Sequence, residues 1–230
     1  MFPIKDTVPR VHFPVMTVAI IAGNVLVFLL ELSLPEKVLN DLIYVFGLVP
    51  ARYSHPAWAE FVGYPLDTYW PFLTNLFLHG GWLHIIANMW FLYLFGDNVE
   101  DRMGPLRFLL FFLLAGVAAN LVHYTLSRDS TMPVIGASGA IAGVMAAYLR
   151  LFPRARITML VPVLIFPLFF EVPALFFMLF WFFLQLFSGA ASLAVAHSGE
   201  GIAWWAHVGG FVLGFLLVRP LCGSSQSGCR

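Results

Sequence analysis

Four polar side chains stand inside otherwise apolar stretches of this chain, and their types fit acyl transfer. Ser138 lies in Gly136-Ala137-Ser138-Gly139, and His207 lies in Ala206-His207-Val208-Gly209-Gly210. His84 and Asn88 are four residues apart in another apolar run, hence on one helical face. A serine hydroxyl is a weak nucleophile until a neighbouring base takes its proton. His207 can be that base and can later protonate a leaving amine. The tetrahedral intermediate needs donors aimed at its oxyanion. Asn88 offers an amide N–H, His84 a ring N–H, and Ser138 its own backbone N–H near a helix start, where amides are unpaired. Glu31 belongs to the first apolar run and Glu171 to the opposite side, so no carboxylate completes a triad and the expected unit is a dyad.

Each residue alone has a blander reading. A lone serine in a membrane helix is usually a packing residue, and a lone asparagine or histidine can glue helices together. The hydrolase elbow G-x-S-x-G is not met, because Ala140 holds its last position. His79, His84 and His207 lack an accompanying Cys or carboxylate, so no metal is expected. His12, His55, His123 and His197 lie near span ends or in loops and read as interfacial or solvated. Cys222 and Cys229, both in the last nine residues, read as incidental.

The elements that would position these groups are membrane spans. Of 230 residues, 60% are hydrophobic and 10% charged, against about 25% charged in a soluble domain. Such a chain must be solvated by lipid, and its 24 Phe and 7 Trp suit a bilayer and its interface. A formal net charge of zero leaves no basic field for nucleic acid. Six runs reach the roughly 20 residues needed to cross the hydrocarbon core: 15–34, 72–97, 106–126, 134–152, 168–188 and 202–219. Gly80 and Gly81 predict that regular helix in the second begins near Trp82. The stretch 157–188 is too long for one span, and Pro162, Pro167 and Pro173 mark its first part as re-entrant or interfacial.

The expected fold is therefore an all-α, polytopic bundle of six transmembrane helices. Residues 1–14 form a cytoplasmic tail, 15–219 the membrane domain with an outer loop at 35–70, and 220–230 a flexible cytoplasmic tail. With both termini inside, nine Lys and Arg face the cytoplasm and only Lys37, Arg52 and Arg128 face outward. That distribution satisfies the positive-inside rule. Trp58, Phe61, Tyr64, Tyr69 and Trp70 put the outer loop at headgroup level.

Spans two, four and six then all run from outside to inside. Ser138 and His207 fall about 6–8 Å below the outer boundary at about 1.5 Å per residue, with His84 and Asn88 at a similar depth. Gly139 and Gly143 form one small-xxx-small pair, and Gly210 and Gly214 another. Glycines so spaced let two backbones approach closely, which would bring Ser138 to His207.

These segments resemble the rhomboid family. His79-Gly80-Gly81-Trp82-Leu83-His84-Ile85-Ile86-Ala87-Asn88 is similar to its H-x4-H-x3-N pattern, and Glu100-Asp101-Arg102 to its E-x-R motif. Gly136-Ala137-Ser138-Gly139 resembles its G-x-S-G, and the run from Ala206 to Gly214 its A-H-x-x-G-x-x-x-G. The resemblance spans residues 70–219 and implies a cofactor-free intramembrane serine protease. Ser138 would be nucleophile and His207 base, with His84 and Asn88 at the oxyanion. Glu100, Arg102, His79, Gly136, Gly139, Gly210 and Gly214 would be structural. Its partners would be single-pass transmembrane substrates within the lipid bilayer, cut near the outer boundary with small residues before the cut. The absence of a targeting peptide in the sequence points to a bacterial inner membrane. Two departures stand out: Ala142 replaces a tyrosine that some members stack beneath the histidine, and Trp70-Pro71 replaces a Trp-Arg pair. A non-catalytic relative that binds membrane proteins and a small transporter using His84 and His207 are the rival readings.

Overall fold

Long apolar runs, broken by glycine and proline, set the order of the elements. The computed structural model describes residues 2–65, 67–163, 166–194 and 203–222. It contains β1 (Phe2–Asp6), α1 (Val15–Ser33), α2 (Glu36–Phe46), α3 (Ala51–Ser54), α4 (Pro56–Val62) and α5 (Pro71–Thr74). After a 3-10 turn at Asn75–Phe77 come α6 (Trp82–Met103), α7 (Pro105–Leu126) and α8 (Ser138–Leu151). Then follow β2 (Arg156–Val163), β3 (Phe166–Pro173), α9 (Ala174–Ala194) and α10 (Trp204–Leu221). Among the described residues α1, α7, α9 and α10 are long and apolar enough to cross a membrane, and α8 is a shorter apolar helix. The protein is a mostly helical, multi-pass integral membrane protein.

Helix α8 is the hub. It packs against α6, α7, α9 and α10, and every residue from Gly139 to Leu149 is buried. A helix that is small and apolar on all sides belongs in a core rather than against water. Around it Phe95, Phe108, Phe111 and Phe112 are completely enclosed, as is its own Tyr148. The lipid-facing surface is equally plain on α9, where Phe176, Phe180, Phe183 and Phe187 are exposed. Phe177 and Phe182 turn inward instead, Phe182 stacking on Phe211 of α10 at 4.6 Å between ring centroids.

The all-α expectation requires correction. Residues of the 1–14 tail form β1, which pairs antiparallel with β2, and β2 pairs antiparallel with β3. The sheet joins the chain's start to the connection between α8 and α9. Because β3 occupies 166–173, helix α9 starts at Ala174 rather than 168. Pro162 faces Pro167 across the hairpin. Neither has an N–H, so theirs is a non-hydrogen-bonded pair, and alternation turns Pro167 and Pro173 outward on β3. Two of the donors that a free edge would display are thus missing, which blunts it against pairing with another chain.

Other expectations shift as well. Span two is not continuous from 72: α5 and the 3-10 turn precede a break, and Gly81, at φ +147°, leads into α6 at Trp82. His123 is buried within α7 rather than solvated, whereas His12 and His55 are exposed and pair with Asp101 and Asp129. His197 lies outside the described residues. Cys222 is disulfide-bonded, not an incidental thiol; Cys229 and the rest of the 220–230 tail after Cys222 lie outside the described residues. In the 35–70 loop, Arg52 is buried beneath Tyr53 and Tyr64 and bonds Pro65 O and Thr68 Oγ1. Burial raises both phenols to about 12.

The start of α1 is capped from another helix. Pro14 at its N-cap offers no side-chain acceptor, yet the first-turn amides need one. Glu100 of α6 supplies it. Its carboxylate accepts from Met16 N at 2.8 Å, Thr17 N at 2.7 Å and Thr17 Oγ1 at 2.7 Å, and it is 4% exposed. Asp101 next to it accepts from Val11 N and His12 N. Glu100→Ala is expected to lower stability by about 2–4 kcal/mol, since it strands several donors of a charge-assisted set. Thermal unfolding in detergent checks this; an unchanged midpoint would contradict the capping role.

Candidate active site

Ser138 is the first residue of α8 and His207 lies in the first turn of α10. What brings them together is missing side chains. A Cβ on Gly210 would collide with Gly139 O, and one on Gly214 would collide with Gly143 Cα. The two backbones therefore touch, and at the end of that contact His207 Nε2 meets Ser138 Oγ at 2.7 Å.

His84 and Asn88 reach the same place from α6. Gly136 has φ +116°, a conformation open to glycine, and a Cβ there would stand 2.6 Å from His84 Nε2. The backbone N–H of Gly80 donates to His84 Nδ1 at 3.3 Å. An acceptor at Nδ1 puts the neutral ring's proton on Nε2. His84 thus presents an N–H donor beside the loop that carries Ser138. Asn88 Nδ2 donates to His79 Nε2 at 3.0 Å, which leaves its second amide proton for other use. His79 is itself fastened by its backbone N–H to the buried carboxylate of Glu31 at 3.3 Å. Ser138 and Gly139 open α8, where backbone amides have no intrahelical acceptor.

A cavity of about 460 Å³ is lined by His84, Asn88, Ser138, Ala142, Trp181 and His207, among others. It shares Leu83, Ala87, Phe91 and Trp181 with an apolar groove of about 1010 Å³ between α6 and α9. The arrangement can activate a hydroxyl, offer donors to a developing oxyanion and admit an apolar chain from the side. Glu100 and Arg102 are not part of it. Glu100 is sixteen residues along α6 from His84, about 24 Å by helical rise, and Arg102 lies over the Phe152 ring.

Several contributing residues were not evident from sequence motifs. His207 Nδ1 meets Gln185 Oε1 of α9 at 2.7 Å. Trp181 lies tilted on the His207 ring at 5.8 Å and Trp204 meets it edge-on at 6.2 Å. The signal available for Gln185 was its isolation, an amide within an otherwise apolar stretch of α9. Asn75 and Asn120 form a reciprocal buried amide pair at 3.1 and 2.8 Å. Asn75 O also accepts from Gly136 N at 2.8 Å, so this pair clamps the loop ahead of Ser138.

Comparison with known proteins now bears on the geometry. The Rhomboid domain model matches residues 66–224, more than half of the chain. Rhomboid-like protein 11, chloroplastic, of Arabidopsis thaliana is 37% identical over 94 residues, 41% of this chain and 29% of that protein. Putative rhomboid protease YdcA of Bacillus subtilis (strain 168) is 32% identical over 116 residues, 48% of this chain and 57% of that protein. The human presenilin-associated rhomboid-like protein, mitochondrial, is 34% identical over 92 residues, 39% of this chain and 24% of that protein. The matched stretch is thus less than two thirds of each relative's own length.

The Asn75–Asn120 clamp is open to a double-mutant cycle. Asn75→Leu and Asn120→Leu are each expected to cost about 1–3 kcal/mol, because each strands a buried amide. The double variant should cost clearly less than the sum. Additive losses would show that the two amides do not act as a pair.

Proposed function

This chain belongs to the rhomboid family, and from that membership we propose that it is an intramembrane serine endopeptidase using a Ser138–His207 dyad. The observation that carries the reading is the 2.7 Å approach of Ser138 Oγ to His207 Nε2 within a cavity that also holds His84 and Asn88. The proposed topology has six spans, formed by α1, α6, α7, α8, α9 and α10, with both termini in the cytoplasm. Ser138, His207 and His84 all lie near the starts of their helices, which in this topology is the outer side. The proposed setting is a bacterial plasma membrane; of the three alignments described, that with the Bacillus protein is the longest.

The substrate is a transmembrane segment of a single-pass protein. It arrives laterally past α9, whose outer face offers little but hydrocarbon. Its end unwinds in the cavity, because a helical hydrogen bond otherwise occupies the scissile carbonyl. Small residues before the cut and helix-destabilising residues after it would ease that step. Ser138 Oγ gives its proton to His207 Nε2 and attacks the carbonyl carbon. His84 Nε2–H, an Asn88 amide proton and the Ser138 amide donate to the oxyanion. His207 then returns its proton to the departing amine, the C–N bond breaks, and an acyl-enzyme remains. Water, deprotonated by His207, attacks the ester; as the acyl C–Oγ bond breaks, His207 returns the proton to Ser138 Oγ and the new carboxyl end is released. In this account the bilayer supplies a low dielectric around the oxyanion, where each donor counts for more than in water.

Ser138→Ala and His207→Ala are each expected to abolish cleavage of a model single-span substrate in detergent, with thermal unfolding little changed. A fluorophosphonate reagent should label the wild type and not Ser138→Ala. His84→Ala should unfold at a temperature close to wild type and Asn88→Ala, which strands buried His79 Nε2, at a lower one, while the folded fraction of each should lose about 100- to 1,000-fold in kcat, the scale of an oxyanion donor. Cleavage by Ser138→Ala would end the assignment. A wild type that neither cleaves nor labels would favour a non-catalytic binder of membrane proteins.

A further inference from the structure

The base of the dyad has two ring nitrogens, and the second one is held. Gln185 Oε1 lies 2.7 Å from His207 Nδ1, and Gln185 is 6% exposed. Which way its amide points is fixed by its other end. Gln185 Nε2 lies 3.3 Å from Trp181 O, one helical turn earlier, and a carbonyl oxygen can only accept. The amide nitrogen must therefore face Trp181 O, and Oε1 must face the imidazole. An oxygen there can only accept, so Nδ1 carries the proton. Nε2 is then the unprotonated nitrogen, and it is the one 2.7 Å from Ser138 Oγ. The opposite tautomer would place a proton between ring and serine and leave no base.

Resting on the dyad reading above, we propose that Gln185 is a positioning residue that fixes the tautomer and orientation of His207, so that the functional unit of this chain is Ser138–His207–Gln185. The proposal accounts for the space at Ala142, which is too small to support the ring from α8 and is completely buried. Support comes instead from α9, through Gln185 on one ring edge and Trp181 across its face at 5.8 Å. A neutral amide does this without a net charge among apolar groups; a carboxylate in its place would be tolerated only while paired with the His207 ring. When Ser138 gives up its proton, the imidazolium keeps the same Nδ1–H bond to Oε1, so nothing need rearrange as charge develops. Trp181 then lies within the range at which a ring face attracts a cation.

The arrangement also links the base to the helix that borders the substrate's route. Trp181 lines both the cavity and the groove between α6 and α9, and Gln185 is one turn further along the same helix. An α9 swung outward would take Oε1 with it and leave His207 free to adopt either tautomer.

The full chain in detergent, with a model single-span substrate, tests this through Gln185→Met, which keeps the length but not the acceptor, and Gln185→Glu, which keeps an oxygen at Oε1. Gln185→Met is expected to lower kcat about 10- to 100-fold, by analogy with losing the hydrogen-bond partner of a metal-ligating histidine, with KM little changed. Gln185→Glu should recover most of that loss. In parallel, the 15N shifts of His207 should report one Nδ1–H tautomer in the wild type and a mixture in Gln185→Met. If Gln185→Met cleaves like wild type and keeps one tautomer while Ser138→Ala is inactive, the positioning role is wrong and the dyad stands. If both Gln185 variants lose activity together with thermal stability and KM rises alongside, the residue is merely packing and the proposal falls. Cleavage by Ser138→Ala would instead remove the dyad reading, and this inference with it.

Discussion

Helices α8 and α10 cross with backbone against backbone, and that contact determines the distances that matter. No side chain fits between Gly139 and Gly210 or between Gly143 and Gly214. In lipid there is no hydrophobic drive to press helices together, because acyl chains are as apolar as leucine. Close approach must come from dispersion across a smooth, small-residue surface. Ala115 and Ala119 of α7 extend the same surface, standing 2.7 and 2.8 Å from where Cβ atoms on Gly143 and Gly139 would be. The result is a three-helix joint with almost no adjustable side chains. A hydrogen bond such as Ser138 to His207 tolerates only a few tenths of an ångström of error, and a joint built from backbone is stiff enough to hold it.

The second constraint is polar satisfaction. Inside a membrane an unpaired polar group costs several kcal/mol, so most find a partner within the protein, the buried ring nitrogens of His123 being an exception among the described residues. Here the partners form separate circuits. Glu100 gathers the free amides of α1, Asn75 and Asn120 hold each other and the loop before α8, and Glu31 fastens His79, which meets Asn88. Each circuit ties two or more segments that are distant in sequence. The same groups that lipid makes expensive thereby become the ties of the bundle, and the cavity at Ser138 lies where those at His79 and Asn75 converge.

Much of this was legible in the sequence because lipid raises the cost of every polar residue. Ser138, His207, His84 and Asn88 stood out on that ground, and the glycine spacings indicated which helices touch. The sheet did not stand out. A short apolar run of β-branched and aromatic residues such as 156–173 cannot be told from buried helix by periodicity, and β1 is defined only by a strand far along the chain. Gln185 met the same criterion as Asn88, an amide in an apolar run, but it belongs to none of the four motifs and so did not stand out. His123 was misjudged because α7 is apolar on all sides and gives no hint of which face is inward. Ala142 posed the question of what steadies His207, and its answer lay on α9, which no motif marks.

The pairing of Phe2 with Leu160 has a consequence for biogenesis. Strand β1 has no partner until α8 and the start of the hairpin have been made. Until then Phe2–Asp6 lacks the strand that satisfies its backbone groups. Only when β2 emerges can the sheet close, and closing it also seats Asp6 against Asn98 and Pro3 O against Trp90. The sheet is thus a late, long-range step with a large loop-closure cost. Substitutions within Phe2–Asp6 would bear on that step before any other, and the damage would appear as poor assembly rather than as a local change in the folded bundle.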